Sequence, residues 1–479
     1  MPSHDPHSNR YLLLSIFVFA SVLLYLTTHR PIPQPRITTP STTPSTTAKN
    51  KSPSSLVSAS EPRPLVVDRE SQDGGVIQHR IVAIGDIHGD FPALTKILRK
   101  ASLVDLKGQW TGGQTILVQT GDIVDRGIDT IACYRFMQTL RGQAEKVGGT
   151  VVSLLGNHEI MNALGDWRYV NPLDTKSFGG ERNRREALSY GWIGQEWRTN
   201  YSVTARVPFL TSQFPTLESV TEFPKTKRGE SDKRFLSEPI RWNERDRDSR
   251  LDKDGAISFV HGGIIPEYLS TLSSSSSSSK DTPITTINRI GHSLLELLVS
   301  SSNPFPISLP QDSTIEQKIF WSEKGPMWNR DWALKSEKET CERVERVCQE
   351  LKVRRLVMGH TPHFEGIVSR CRGKVLLIDT GISRAYGGAH SFLDISHTLT
   401  LKTHYSSSEL IDLDDTFNGG TGPGSYNEVL GVTDTSRDGE EEGEEWVEHE
   451  VIKAVYEQRE DGTEGEETLV DFRRVVRVR

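Results

Sequence analysis

The stretch Ile81-Val82-Ala83-Ile84-Gly85-Asp86-Ile87-His88-Gly89-Asp90 decides how the rest of the chain is read. Four apolar residues, mostly β-branched, predict a buried strand, and the glycine after them ends it sharply. Directly beyond stand an Asp and a His two residues apart, side chains suited to holding a divalent cation at neutral pH. Open α/β sheets keep their ligands in loops at the carboxyl ends of strands. The device recurs. Thr115-Ile116-Leu117-Val118 leads towards Gly121-Asp122-Ile123-Val124-Asp125-Arg126-Gly127, and Val151-Val152-Ser153-Leu154-Leu155 into Gly156-Asn157-His158-Glu159. Ile257-Ser258-Phe259-Val260 is followed by His261-Gly262-Gly263, and Leu356-Val357-Met358 by Gly359-His360-Thr361-Pro362-His363. Singly, each has a plain reading, since Gly-Asp and Gly-Asn are common turn dipeptides and a lone His is more often structural. Five of them, each after an apolar run, point to convergence on one site.

The 479 residues, 35% hydrophobic and 25% charged, suffice for one large catalytic domain or two ordinary ones with tails. The net charge of -7 is local. Asp438 to Glu450 holds eight carboxylates and no Lys or Arg, so -7 overall less -8 in this run leaves +1. That run reads as a solvated loop, and no basic stripe suggests nucleic acid. Cys133, Cys341, Cys348 and Cys371 form no CxxC pair, which disfavours a zinc ribbon. In an oxidising compartment one or two disulfides are expected, Cys348 with Cys371 first.

Residues 1–10 are a short flank. Residues 11–28 carry the apolar run YLLLSIFVFASVLLYL, at the lower length limit for a transmembrane helix and followed by no A-x-A-like cleavage site. A retained single-pass anchor is the expectation. Residues 29–77 form a Ser/Thr/Pro-rich stem with no means of building a core. Arg30 and Arg36 after the run, against Arg10 before it, tilt the charge count to a cytosolic C-terminal side. The stem and the sequons at Asn50 and Asn200 favour the lumen of the secretory pathway or vacuole, and that side is preferred. The catalytic domain is placed at 78–400, α/β in class, with polar insertions near 211–255 and 271–285. In it, Phe91 to Ala101 and Thr130 to Arg141 read as helices and Val375-Leu376-Leu377-Ile378 as a strand. Residues 401–479 comprise the acidic loop and two strands, Glu450 to Tyr456 and Thr468 to Phe472, pairing through Asp461-Gly462.

Two divalent ions about 3.5–4 Å apart need one bridging ligand, which a carboxylate supplies best; Asp122 is the candidate. Oxygen and nitrogen ligands without thiolate suit manganese, iron or zinc. Arg126 offers a planar fork to a phosphate. His158 follows a candidate ligand and can face a leaving oxygen as general acid, with Asp125 the natural carboxylate to orient it.

The series GDIHGD, GDIVDRG, GNHE, HGG and GHTPH resembles the calcineurin-like metallophosphoesterases, and within them is most similar to the Shewanella-like protein phosphatases. The stretch Cys371-Arg372-Gly373-Lys374-Val375 through Asp379-Thr380-Gly381-Ile382-Ser383, with Tyr386-Gly387-Gly388, looks like that branch too. The resemblance implies a β-sandwich flanked by helices with the site at its top. It implies that Asp86, His88 and Asp122 hold one metal, and Asp122, Asn157, His261 and His360 the other. His158 with Asp125 would be the proton donor pair and Arg126 a phosphate contact. Many members end this series in Gly-His-x-His; here two residues separate His360 from His363, so His363 is expected at the surface or behind the ligands. Arg182, Arg185, Arg330 and Tyr386 are further phosphate-binding candidates.

The function this implies is a two-metal phosphomonoester hydrolase using a metal-bridging hydroxide, acting on phosphorylated protein (Ser/Thr or Tyr) or a small phosphoester. Membrane-tethered vacuolar polyphosphatases carry similar motifs, so hydrolysis of polyphosphate or of a dinucleoside polyphosphate stands as an alternative. A non-catalytic phosphate-binding module is a third reading, which predicts missing ligands.

Overall fold

The computed structural model describes residues 76–209, 255–273, 282–300, 307–401, 403, 444–459 and 461–478. The expected anchor at 11–28, the stem at 29–77 except Val76 and Ile77, which open the first strand, and the insertion near 211–255 except Gly255 lie outside them. Among the described residues no helix is long and apolar enough to cross a membrane.

Two sheets carry the fold, of mixed α/β class. The first has seven strands: β1 (Val76–Ile84), β2 (Ile116–Gln119), β3 (Thr150–Leu154), β4 (Tyr201–Ser202), β10 (His390–Leu401), β11 (Glu444–Gln458) and β12 (Gly465–Val478), in the order β12-β11-β10-β1-β2-β3-β4. The second has β5 (Thr204–Pro208), β6 (Ala256–Val260), β7 (Arg355–Met358), β8 (Val368–Arg370) and β9 (Val375–Leu377), in the order β5-β6-β7-β9-β8. Ile81 and Ala83 share one apolar cluster with Ile257, Phe259, Val357 and Leu376 of the second sheet. Val82 and Ile84, facing the other way, pack with Leu94, Ile97 and Leu98 of helix α1 (Phe91–Lys100). An unbroken apolar run therefore stands where polar alternation would fail, because both faces of β1 are covered.

The helices start where side chains answer their free N–H groups. Asp90 accepts from Ala93 N at 3.1 Å, with Pro92 in the first turn of α1. Helix α2 spans Thr130–Glu145 and α3 Asn157–Leu164. Three short helices follow, α4 (Pro172–Ser177), α5 (Glu181–Leu188) and α6 (Trp192–Thr199), then α7 (Pro266–Ser273), α8 (Pro283–Ser300), α9 (Ile315–Phe320), α10 (Asp331–Leu334) and α11 (Glu337–Leu351). The polar insertion expected over 271–285 is thus helical at both ends.

Two expectations are corrected. The disulfide joins Cys341 to Cys371, with Cα atoms 5.2 Å apart, and Cys348 is buried and free. Both candidates lie on α11, two turns apart. The turn carrying Cys371 meets the first of them because Cys371 N donates to Glu337 Oε1 at 2.6 Å, at the start of that helix. The acidic run is a solvated loop over none of its described length: residues 444–450 are the first half of β11, and Glu448 and Glu450 are buried. Paired β10 and the arginines at the start of β7 cover them. Glu450 accepts from Arg355 Nε at 2.9 Å and Nη2 at 2.7 Å and from Arg354 Nη1 at 3.0 Å. Glu448 takes Arg354 Nη2 at 2.7 Å and lies 2.8 Å from His397 Nε2.

Burial alone would raise Glu450, but Arg355 and Arg354 outweigh it and draw it down to about 2. Its stabilising contribution is therefore present above the ordinary carboxylate range and is lost as pH falls towards 2. Removing one partner of a buried pair costs about 3–5 kcal/mol. Glu450→Ala should lose that much in denaturant unfolding, whereas Glu466→Ala, at an exposed pair with Lys453, should change stability by less than about 0.5 kcal/mol. Equal effects would show that the hairpin is not held by this pair.

Candidate active site

Strands β1, β2 and β3 run parallel in one sheet, and β6 and β7 run parallel in the other. All five motif loops consequently leave at one edge of the sandwich. The loops approach closely. A Cβ on Gly156 would lie 2.0 Å from Asp122 Oδ1, and one on Gly359 2.3 Å from Asp86 Oδ1. Glycine at these two places lets a carboxylate of the neighbouring loop come against the backbone. His88, Asp122, Asp125, Arg126 and His360 all hold positive φ, between 45° and 74°. Such backbone costs about 1–3 kcal/mol per residue and collects where geometry serves chemistry.

Asp122, 2% exposed, stands at the centre. Its Oδ2 lies 3.3 Å from His261 Nε2, 3.7 Å from His88 Nε2 and 3.8 Å from His158 Nε2. Asn157 Oδ1 faces His261 Nε2 at 2.8 Å. Asp86 accepts from His360 N at 3.2 Å and lies 4.0 Å from His261 Nδ1. The His261 and His360 rings are 4.8 Å apart. The six predicted ligands lie in one buried neighbourhood, with Asp86 at its margin. By donor distance two groups share Asp122: His88, Asp122 and His158, and Asp122, His261 and His360; His158, expected as the proton donor, thus stands where Asp86 was expected in the first group.

The ring nitrogens test whether cations fit. His88 Nδ1 meets Val124 O at 3.0 Å and His261 Nδ1 meets Thr120 O at 2.9 Å. A carbonyl partner assigns the proton to Nδ1, so each Nε2 presents a lone pair. Those lone pairs point at carboxylate and amide oxygens, acceptor against acceptor, an arrangement that a cation between them resolves. Burial, then the His158 charge, draws His88 down to about 4; burial and His261 lower His360 likewise. Both rings are neutral at pH 7, as metal ligands must be. The donor set fits divalent metals.

The acids show the converse. Burial and then Asp379 and Asp122 push Asp86 well above the carboxylate range, and burial brings Asp379 up to about 6. Asp122 goes the other way: burial would raise it, but His261 and His158 outweigh burial. The third acid, Asp379, follows β9 and went unnoticed as a site residue in the sequence, although it stands in a quoted motif. A strand-then-Asp pattern at Val375 to Asp379 was the available signal.

His158 Nδ1 lies 2.7 Å from Asp125 Oδ2, so the proposed donor pair is assembled. Burial would lower this imidazole, yet Asp122 and Asp125 together hold it above its ordinary value. The Arg126 guanidinium sits 4.0 Å from the Tyr169 ring centroid and 5.3 Å from that of Tyr386, with its buried Nε unpartnered. Tyr386 also lies 5.4 Å from the His88 ring. Arg330 donates to His360 O at 2.8 Å. Arg182 is exposed and Arg185 stacks 4.8 Å from Trp167, neither within the ligand groups. The arginine between them, Arg184, is fully buried and reaches Asp125. His363 belongs to neither ligand group; its backbone N donates to Asp379 O at 2.9 Å.

The sequence profile of calcineurin-like phosphoesterases matches residues 79–364. The chain is 38% identical over 325 residues to an uncharacterized protein of Schizosaccharomyces pombe, covering 67% of this chain and 78% of that protein. It is 27% identical to Shewanella-like protein phosphatase 2 of Arabidopsis thaliana, covering 64% and 72%, and 28% identical to Shewanella-like protein phosphatase 1 of Plasmodium berghei, covering 67% and 74%. A solved cold-active protein tyrosine phosphatase superposes with a TM-score of 0.46 at 23% identity, covering 66% of this chain and 73% of its own.

Buried acids that repel one another make the metal-free protein less stable than its fold allows. Asp86 and Asp379 have raised values when folded, so their contribution is present below the ordinary carboxylate range and is lost as pH rises through about 6. In chelator, Asp86→Asn should therefore raise stability by about 1–2 kcal/mol at pH 7 and by clearly less at pH 5, where the buried acid is closer to its neutral form. An Asp86→Asn protein no more stable than the parent in chelator at pH 7, or stabilised equally at both pH values, would contradict this.

Proposed function

The chain belongs to the calcineurin-like phosphoesterase family and is a metal-dependent hydrolase; from that premise we propose that it is a protein phosphatase, removing phosphate from Ser, Thr or Tyr side chains with a pair of divalent metals. The observation that carries the reading is Asp122 shared between two groups of buried donors, one of them including His158, which is itself paired with Asp125. Asp86, His88 and Asp122 would hold one ion, and Asp122, Asn157, His261 and His360 the other. When bound, such a pair supplies Lewis acidity to the phosphoryl oxygens and acidifies water enough to attack phosphorus; manganese, iron or zinc suits these donors.

The chain's own groups do the rest. Arg126, held between two tyrosine rings with an unsatisfied N–H, presents its fork to the equatorial oxygens. His158, fixed through Nδ1 to Asp125, delivers the Nε2 proton to the departing oxygen as the P–O bond breaks. Asp125 keeps the ring oriented and steadies its positive charge. The names of the Arabidopsis and Plasmodium relatives support a protein substrate over polyphosphate. An N-terminal anchor and a lumenal catalytic domain belong to the same proposal, resting on the run at 11–28; the Cys341–Cys371 disulfide supports an oxidising compartment.

Turnover of phosphoserine, phosphothreonine and phosphotyrosine peptides against long-chain polyphosphate and a dinucleoside polyphosphate, with manganese, zinc or chelator, tests the substrate. Peptides should be preferred and chelator should abolish turnover; preference for polyphosphate would replace the reading. Asp122→Asn should lose turnover by at least about 10³-fold, as expected when both ions lose a shared ligand, together with metal content measured by elemental analysis. His158→Asn should lose about 10²–10⁴-fold on phenyl phosphate and far less on 2,4-dinitrophenyl phosphate, whose leaving group departs without a proton.

A further inference from the structure

Arg184 lies on α5, in a run of short helices carrying none of the five motifs, and its side chain is 0% exposed. A guanidinium without water is costly unless its donors are answered. Here they are. Nη1 donates to Asn162 Oδ1 at 2.6 Å, Nη2 to Asp125 Oδ1 at 3.2 Å and Nε to Asp174 Oδ2 at 3.3 Å. Its Cζ stands 4.9 Å from the Trp167 ring centroid.

Two of those three bonds lead to the donor pair. Because Asn162 Oδ1 accepts from Arg184, its Nδ2 is the end turned inward. That Nδ2 donates to Asp125 Oδ1 at 2.9 Å and to His158 O at 2.8 Å. Asp125 is then held on both sides: Oδ1 by Asn162 and Arg184, Oδ2 by His158 Nδ1. A carboxylate with both oxygens occupied in this way has one rotamer, and the plane of the His158 ring follows from it. The third bond anchors the device. Asp174 Oδ1 accepts from Thr130 N at 3.2 Å, the first residue of α2. Without the guanidinium, the Asn162 amide is free to reverse and turn its oxygen on Asp125, acceptor against acceptor, and the ring loses its fixed bearing.

We propose that Arg184 is a positioning residue for phosphoester cleavage, locking Asn162 and Asp125 so that His158 Nε2 stays aimed at the leaving oxygen. This rests on the reading of His158 as the proton donor. The rival role is purely structural: a buried ion pair that holds α5 in place. The two differ in what they do to leaving groups of unequal basicity.

The full chain, loaded with manganese, is assayed on phenyl phosphate and on 2,4-dinitrophenyl phosphate, with Tm recorded for every variant. Arg184→Lys keeps the charge and loses the fork. Where that variant does not fold, the double substitution Arg184→Met with Asp174→Leu removes one buried pair together and leaves Asp125 to Asn162 and His158, which folds tolerate better than stranding both carboxylates. Misaiming the donor should lower kcat on phenyl phosphate by about 10²-fold, with KM within about threefold, and kcat on the dinitrophenyl ester by less than about fivefold. Equal losses on both esters, or a change confined to KM, would overturn the proposal. His158→Asn run beside them separates the failures. If its loss is steep in leaving group and those of the Arg184 variants are flat, Arg184 is structural and the donor reading stands; if all are flat, the donor reading itself falls.

Discussion

The Glu159 carboxylate ties the site together. It is fully buried and accepts from Asp122 N at 2.9 Å, Ile123 N at 2.9 Å, Gly156 N at 2.7 Å and the Tyr134 hydroxyl at 2.8 Å. Three of those donors are backbone amides of the loops after β2 and β3, so one side chain sets the spacing between the shared carboxylate and the Asn157–His158 pair. Tyr134 is itself fixed by Trp197 Nε1 at 3.0 Å. The tie runs from the ligand loops into the helical core. Loosening it would move Asp122 relative to every imidazole that faces it.

Much of this was legible in the sequence for a local reason. The apolar end of β1 from Ile81, the glycine that ends it and the Asp and His beyond it lie within ten residues, and the other four loops are as compact. Parallel strands in a sandwich then bring the ends together without further instruction. The unreadable parts are those decided across long separations. Arg184 reaches Asp125 over 59 positions, and nothing in Arg182, Arg184 and Arg185 marks the middle one as the buried member; a helix turn does. Glu450 meets Arg355 over 95 positions, so a run of carboxylates that looks like a solvated loop is in part a packed strand. Cys341 and Cys348 share a helix, and only the approach of the Cys371 turn to Glu337 chooses between them.

The site concentrates terms that oppose folding. Backbone at positive φ, acids raised by mutual repulsion and imidazoles with lone pairs facing oxygens all cost stability, and each is resolved or used when cations and phosphate are present. The surrounding sandwich carries the compensation in its apolar faces. Stability resides in one part of the molecule and chemistry in another.

The last two strands have a bearing on how the chain is born. Strand β1 pairs with β10, β10 with β11 and β11 with β12, so one flank of the larger sheet is assembled from opposite ends of the polypeptide. A nascent chain leaving the ribosome holds β1 early and must wait for some three hundred residues before its antiparallel neighbour emerges. Until residues 444–478 follow, β10 is a bare edge with open N–H and C=O groups, the kind of surface that recruits strands from other molecules. A chain cut short before β11 would keep β10 as its edge, whereas the full chain moves that edge out to β12.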